Sequence, residues 1–441
     1  MTKKKTFRAG AATADISPAT SQFLCGYPHV ERWSTGLHDP LTSSAMALDD
    51  GQTCLILVAN DILYVPKSIV ARARQRIAGA TGVPESRIMI TATHTHSGPV
   101  VQNRGPGSYD HVVPDADPAY LAILENGIVQ AGETAFWARR PAEIGMAIAR
   151  VEGIGTNRRD PAGPADPEIP VFVARDPRTR AFIGIMEIYA MHPTVLHEDS
   201  RLVSGDFPAM GRQYLQQALG AKIPVLHHMG ASGKQSPRHC VRGQTFDEAV
   251  RLGTILGKAV ETAIASIAYQ PHLPLAAVQT AIEYPLRDLP DVAAAAAKVE
   301  AVRAKFARQQ QDGTPRAIVR TTECDLFGAE ASHALAQSKA SGRIDEALQR
   351  CMPAEIQLLR IGPWAVVGWQ GEVFIEYALA IRQANPDVFV CTCANGSMAG
   401  YIATEQAAAE GGYEASTSLF STDSGKLLVA ATQRLLDETR P

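Results

Sequence analysis

Residues 88–99 read Ile-Met-Ile-Thr-Ala-Thr-His94-Thr-His96-Ser-Gly-Pro, an apolar run that ends in two histidines. Alternation along an extended chain sends residues i and i+2 to one face, so His94 and His96 are expected to point into one cavity, about 7 Å apart along a strand. Neutral imidazole is the commonest protein ligand for zinc, and a second imidazole beside it can move a proton near neutral pH. The segment therefore has the residue types for metal-assisted hydrolysis. The same pair can instead be satisfied by backbone carbonyls at a strand end, and H-x-H alone does not choose between the two.

Two further apolar runs end in the same way. Residues 182–191 lead into His192-Pro-Thr-Val-Leu-His197, and residues 364–369 lead through Gln370-Gly371 to Glu372. Gly371 lets the backbone bring that carboxylate close to whatever it meets. Two histidines and one glutamate on separate strand ends make a His₂Glu zinc set with a position left open for water. Each alone reads more readily as a hydrogen-bonded polar residue, whereas repetition at three equivalent ends points to a site. Cys391-Thr-Cys393 has a spacing that can ligate metal, but its strand-like surroundings read as buried small hydrophobes. His227, His228 and His239 read as structural.

These ends need a scaffold, and the patterning supplies one. Short apolar runs at 44–48 and 53–59 flank Asp49-Asp50-Gly51 and predict a hairpin that delivers Asp61. A helix is expected over 69–79, completing a strand, helix, strand unit with the His-bearing run. Further helices are expected over 119–139, 247–269 and 425–438, and further strands over 142–151, 170–174, 182–191, 223–228, 356–361 and 364–369. Residues 157–167 read as a Gly/Pro/Asp-rich loop. Residues 291–350 differ in composition: an alanine-rich run and a second stretch at 330–348 predict an inserted helical hairpin, able to cover a pocket or simply to pack on the body. The expectation is a mixed α/β (α+β) fold, a β-sheet core covered by helices with a metal site at strand ends, forming a single catalytic domain over 1–441.

Composition narrows the function. The 441 residues are 46% hydrophobic, enough for a large core, and carry 42 Lys+Arg against 45 Asp+Glu. No basic stripe stands out, so nucleic acid is not an expected partner. Residues 1–8 hold three lysines with no apolar stretch behind them, and no run reaches membrane-spanning length, so neither a signal peptide nor a transmembrane segment is expected. Seven scattered cysteines do not form a disulfide framework, and they read as reduced thiols of a cytoplasmic protein.

Taken with their order along the chain, the motifs resemble the catalytic domain of the neutral/alkaline non-lysosomal ceramidases, zinc-dependent amidases that cleave the N-acyl bond of ceramide. The landmarks are Ala9-Gly-Ala-Ala-Thr-Ala-Asp-Ile-Ser-Pro18, Ile90-Thr-Ala-Thr-His-Thr-His-Ser-Gly-Pro99, Asn157-Arg158, His192 with Ser204-Gly-Asp206, Ser236-Pro237, Gly371-Glu372, and the stretch from Asn395 to Tyr413. The resemblance implies one zinc per chain held by His94, His192, Glu372 and Tyr401, with His96, Arg158 and Tyr413 around the scissile carbonyl. His96 would then act as general base and later as acid, and Arg158 and Tyr413 would donate to an oxyanion. Ser236 is assigned a supporting role, because a serine nucleophile needs an adjacent base that the sequence does not provide.

Departures from the pattern bear on substrate. Lys234 stands where the family's Gly-Asp-x-Ser-Pro segment has aspartate, and it could pair with an anionic group that ceramide lacks. No long apolar patch announces an acyl-chain tunnel, and the additional C-terminal β-sandwich typical of ceramidases is not expected here. The reading is a zinc-dependent hydrolase of a C–N acyl bond on a small soluble amide or a lipid-like N-acyl compound, possible as a homo-oligomer. The same site could serve an ester or lactone, and a non-catalytic binding protein is the remaining alternative.

Overall fold

The computed structural model describes residues 6–220 and 222–440. The start of the chain, residues 1–5, on which the signal-peptide expectation partly rests, lies outside the described residues. The architecture is mixed α/β, with three principal sheets and helices packed over them. The first sheet runs in the order Ile88–Ala92, Cys54–Asn60, Thr42–Asp49, Arg8–Asp15 and Arg140–Pro141. The second runs Val225–Met229, Phe182–Tyr189, Glu168–Arg175 and Glu143–Arg150, and the third Leu275–Ile282, Ala354–Ile361, Trp364–Trp369 and Val388–Cys391.

Burial on both faces explains why these strands read as continuous apolar runs. Met46 and Leu57 of the first sheet, Phe172 and Met186 of the second and Leu359 and Val366 of the third are all fully buried in one shared cluster. Helices cover the outer faces. Pro118–Trp137 begins with Asp117 accepting from the Ala119 N–H and with proline at its first position, and it buries Leu124, Ile128, Ala131 and Ala135 at helical spacing. Phe246–Ile264 similarly buries Leu252, Leu256, Val260 and Ala263 beneath a Thr245 cap.

Each sheet contains a parallel pair, and these pairs share one end of the molecule. Ile88–Ala92 runs parallel to Cys54–Asn60, Phe182–Tyr189 to Val225–Met229, and Trp364–Trp369 to Val388–Cys391. Their carboxyl ends are tied together by backbone bonds: Ala92 N–H to Cys393 O (3.1 Å), Thr392 N–H to Met229 O (2.7 Å) and Asn395 N–H to Ile90 O (2.7 Å). The carboxyl ends of strands are where open α/β sheets bind ligands.

The hairpin about Asp50, the four long helices and the nine expected strand runs are present, with ends displaced by a few residues. The helical segment is corrected in detail: it comprises Val292–Gln311, Arg316–Ala340 and Ile344–Gln349, so the second helix starts well before 330. Pro315 sits just ahead of that helix, where proline favours a start. Asp61 proves to be a fastener. Its carboxylate accepts from the Thr42 N–H (2.9 Å), the Thr42 hydroxyl (2.8 Å) and Arg212 (2.8 Å).

Candidate active site

The Ile88–Ala92 strand ends before either histidine, which corrects the expectation that strand alternation brings them together. His94 adopts a left-handed backbone (φ 67°) that non-glycine residues rarely enter. It is held there by its N–H donating to Ile62 O at 2.9 Å and its Nδ1 bonding Leu63 O at 2.8 Å. The turn, and not the pleat, aims His94 and His96 into one space with ring centroids 5.0 Å apart. His192, past the end of Phe182–Tyr189, completes a trio, its ring 4.9 Å from His94 and 5.9 Å from His96. The ligating nitrogens of the three lie within 4.8 Å of one another.

Glu372 reaches the same point from the third sheet. Gly371 has φ 88° and a Cβ there would strike the Met398 side chain, so glycine is needed both for the backbone turn and for the space. Glu372 Oε2 lies 3.0 Å from His192 Nε2 and 3.4 Å from His94 Nε2. Its other oxygen accepts from the Tyr64 hydroxyl at 2.6 Å. A two-residue parallel ladder sets Glu372 directly beside Tyr401.

The hydrogen bonds fix the tautomers. Nδ1 of His94, His96 and His192 faces the carbonyl of Leu63 (2.8 Å), Gly26 (3.0 Å) and Gln235 (2.9 Å), respectively. A carbonyl can only accept, so each Nδ1 carries a hydrogen, and each ring that holds only that one turns a bare Nε2 lone pair inward. Those lone pairs and a carboxylate oxygen converge with too few donors between them, and His96 Nε2 is buried with no hydrogen-bond partner among the described residues. A cation fits such a set. Around a tetrahedral zinc with ~2.0–2.1 Å bonds, neighbouring ligand atoms sit about 3.3 Å apart. The two His–Glu separations match that spacing.

The charges agree with this arrangement. Burial opposes a charge on His94, but the Glu372 carboxylate and Cys393 sulfur outweigh it and hold the ring up to about 10. Burial takes His192 down to about 4, and burial with two imidazole neighbours keeps His96 well below the ordinary histidine range. Burial also opposes ionisation of Glu372, yet the adjacent His94 and His192 hold it well below the usual carboxylate range. One proton on His94 thus balances Glu372, and a bound cation would take the place of that proton.

Arg158 and two tyrosines flank the cluster. The Asn157 side chain accepts from the Arg159 N–H (3.1 Å) and the Asp160 N–H (3.2 Å), a turn that presents Arg158 inward. Arg158 donates to Glu414 (2.7 Å), Gly233 O (3.1 Å) and the Tyr401 hydroxyl (3.2 Å). Tyr413 is pushed up to about 12 by burial and by Glu372, so its hydroxyl keeps its proton at neutral pH. Two cavities, of about 540 Å³ and about 400 Å³, meet here, and both are lined by His96, Tyr401 and Tyr413.

Ser236 lines the larger cavity, but its hydroxyl accepts from the Arg238 N–H at 3.3 Å and no imidazole or carboxylate bonds to it among the described residues. Lys234 pairs with Glu376 and lies over the Phe374 ring, and it lines neither cavity, which removes it as a contact for a bound anion there. His227 bonds Glu187 (2.8 Å), His228 bonds Thr91 (2.7 Å) and His239 bonds Arg158 O (3.1 Å), all away from the cluster. Cys391 is buried in its strand, whereas Cys393 touches His94 Nδ1 at 3.7 Å. Sequence reasoning missed Tyr64 and Glu414, and it read Cys393 as buried without placing it against His94. Tyr64 follows the Cys54–Asn60 strand as His94 follows its own, so the strand-end rule applied there finds it.

Residues 7–223 match the family described as neutral/alkaline non-lysosomal ceramidase, N-terminal. A neutral ceramidase of Mycobacterium tuberculosis is 27% identical over 229 residues, which cover 48% of this chain and 36% of that protein. The matched stretch therefore spans about a third of the relative's length. The crystal structure of neutral ceramidase from Pseudomonas aeruginosa has the same fold, with a TM-score of 0.73 at 17% identity over 98% of this chain and 74% of the other. A ceramidase complexed with C2 aligns equally well, with a TM-score of 0.73 at 17% identity over 97% and 76% of the two chains.

Proposed function

Because residues 7–223 match the neutral/alkaline non-lysosomal ceramidase family, we propose that the chain is a zinc-dependent hydrolase of a C–N acyl bond. The observation that carries this reading is the convergence of His94, His192 and Glu372 from three sheets at ligand spacing, with an unpartnered imidazole beside them. His94, His192, Glu372 and Tyr401 would hold one zinc ion per chain. A zinc ion supplies Lewis acidity toward a carbonyl oxygen and lowers the pKa of water toward ~7.

The remaining residues act on the substrate. His96 Nε2, a bare lone pair kept neutral by its surroundings, accepts the proton of the attacking water and returns it to the departing amine. Tyr413 and Arg158 donate to the carbonyl oxygen as it gains charge, where one such donor is typically worth about 10²–10³ in rate. Arg158 is preset for this, since Glu414, Gly233 and Tyr401 fix its guanidinium. Ser236 contributes cavity wall and caps the turn that carries Arg238. The substrate is an N-acyl compound, and the chain works as one catalytic body with the helical segment 291–350 inserted into it. Among the described residues no helix is long and apolar enough to cross a membrane.

Metal content tests the reading. Elemental analysis of the chain purified without a histidine tag should find close to one zinc per chain, and His192→Ala should lose it. Absence of zinc from the wild type together with failure to bind added zinc would overturn the mechanism.

A further inference from the structure

The two cavities differ in chemistry, and the difference speaks to the substrate of the hydrolase proposed above, on which this inference rests. The smaller is mainly apolar, walled by Leu63, Val100, Val101, Leu335 and Met398, with Arg104, Asp110 and Arg350 also on its lining. The larger carries Arg158, Arg159, Arg238, Arg242, Arg316 and Arg320 against Glu198, Glu323 and Glu414. Those glutamates are already taken, Glu414 by Arg158 and Arg159, Glu198 and Glu323 by Arg320.

Arg238 has no such partner among the described residues. Its guanidinium donates only to Arg158 O at a long 3.4 Å and to the Cys324 sulfur, a weak acceptor, at 3.6 Å. Among the described residues Arg320 Nε is buried with no hydrogen-bond partner, and the one side chain that bonds Arg316 is the neutral Gln244, at 3.2 Å. Burial and the neighbouring Arg158 and Arg320 hold Arg238 below the ordinary guanidinium range, though guanidinium stays charged in proteins. A half-buried positive charge without a counter-charge is costly, and an incoming anion relieves it.

We infer that the larger cavity binds a carboxylate or phosphate on the amine side of the substrate through Arg238, while the apolar cavity takes the acyl chain. The substrate class is then an N-acyl derivative of an amine that bears an acidic group. The cavities share His96, Tyr401 and Tyr413, so the scissile C–N bond spans their seam. Water supplies its oxygen to the acyl carbon and a proton to the nitrogen, releasing a carboxylate and an acidic amine. Arg316 and Arg320 belong to the Arg316–Ala340 helix, which makes the helical insertion part of this selection.

The test compares three ligands with one acyl chain: N-octanoylglycine, N-octanoylethanolamine and the O-phosphate of the latter. Their affinities for the full chain are measured by calorimetry, and their hydrolysis is followed by amine release. At least one acidic ligand should bind about 10–100-fold more tightly than the neutral one, as expected for charge-assisted bonds to a guanidinium. The two acidic arms identify which anion is preferred. Arg238→Gln should bring that ratio toward one and Arg238→Lys should restore part of it, with unchanged thermal melting showing that both fold. Equal affinities, or no binding of either acidic ligand, overturn this inference even if every compound is cleaved. Retained preference for an acidic ligand with no cleavage of any overturns the hydrolase reading and leaves the anion site standing.

Discussion

Three imidazoles at the centre share one design, and the proposed function divides them into two tasks. Each Nδ1 is spent on a carbonyl, so each Nε2 faces inward, but only those of His94 and His192 lie at ligand spacing from Glu372. His96 stands one step away, held by Gly26, whose backbone (φ 117°) leaves no room for a side chain against the imidazole. The division predicts opposite outcomes. His96→Gln should keep its zinc and lose turnover by about 10²–10⁴, the usual worth of a general base. His94→Ala should lose both. Metal analysis alongside kinetics decides, and loss of zinc in His96→Gln would make the ligand set three histidines.

At the scale of elements, the site depends on loops fastened from a distance. Asp206 shows how. It begins a helix in a left-handed conformation (φ 57°), and its Oδ2 accepts from the N–H groups of Val195 (3.1 Å) and Leu196 (2.9 Å), pinning the loop that follows His192. Burial raises its carboxyl from 3.8 to about 7 against the pull of those N–H groups. The folded chain therefore holds a proton that the unfolded chain releases near pH 4, so the stability this group contributes is full below pH 4 and is lost as pH rises through about 7. Asp206→Asn keeps both loop bonds, tolerates the backbone and cannot ionise. Denaturant unfolding between pH 4 and 8 should show wild-type stability falling relative to the variant, and parallel curves would contradict the assignment. Much of this scaffold is legible in sequence, because buried strands and amphipathic helices write their periods into it. The three strand ends with histidine or glutamate are legible for the same reason. Arg238 and Glu414 are not, since a counter-charge missing from a cavity or a carboxylate that fixes a distant arginine is a property of contacts across hundreds of residues. The mainly apolar cavity is hidden too: Leu63, Val100, Val101, Leu335 and Met398 come from four separate segments, none apolar enough to stand out.

The whole molecule is built so that one point ties three sheets. His94 follows a strand of the first, His192 a strand of the second and Glu372 a strand of the third, and the backbone bonds among Ala92, Met229, Thr392 and Cys393 join the same ends. A ligand bound only by the folded chain stabilises it by RT ln(1 + [L]/Kd), about 2.7 kcal/mol at a hundredfold excess over Kd. Because the proposed ligands come from all three sheets, that stabilisation cannot be confined to one loop. Stripping zinc with a chelator should lower the thermal midpoint of the whole transition, by a few degrees for a chain of this size. Hydrogen exchange should speed up together in the 88–92, 182–189 and 364–369 strands. His192→Ala should melt at the lower midpoint whether or not zinc is present. A chelator effect restricted to the His94 turn, with the other two strands as protected as before, would mean that the cation is held by one sheet and that the convergence of the three serves packing alone.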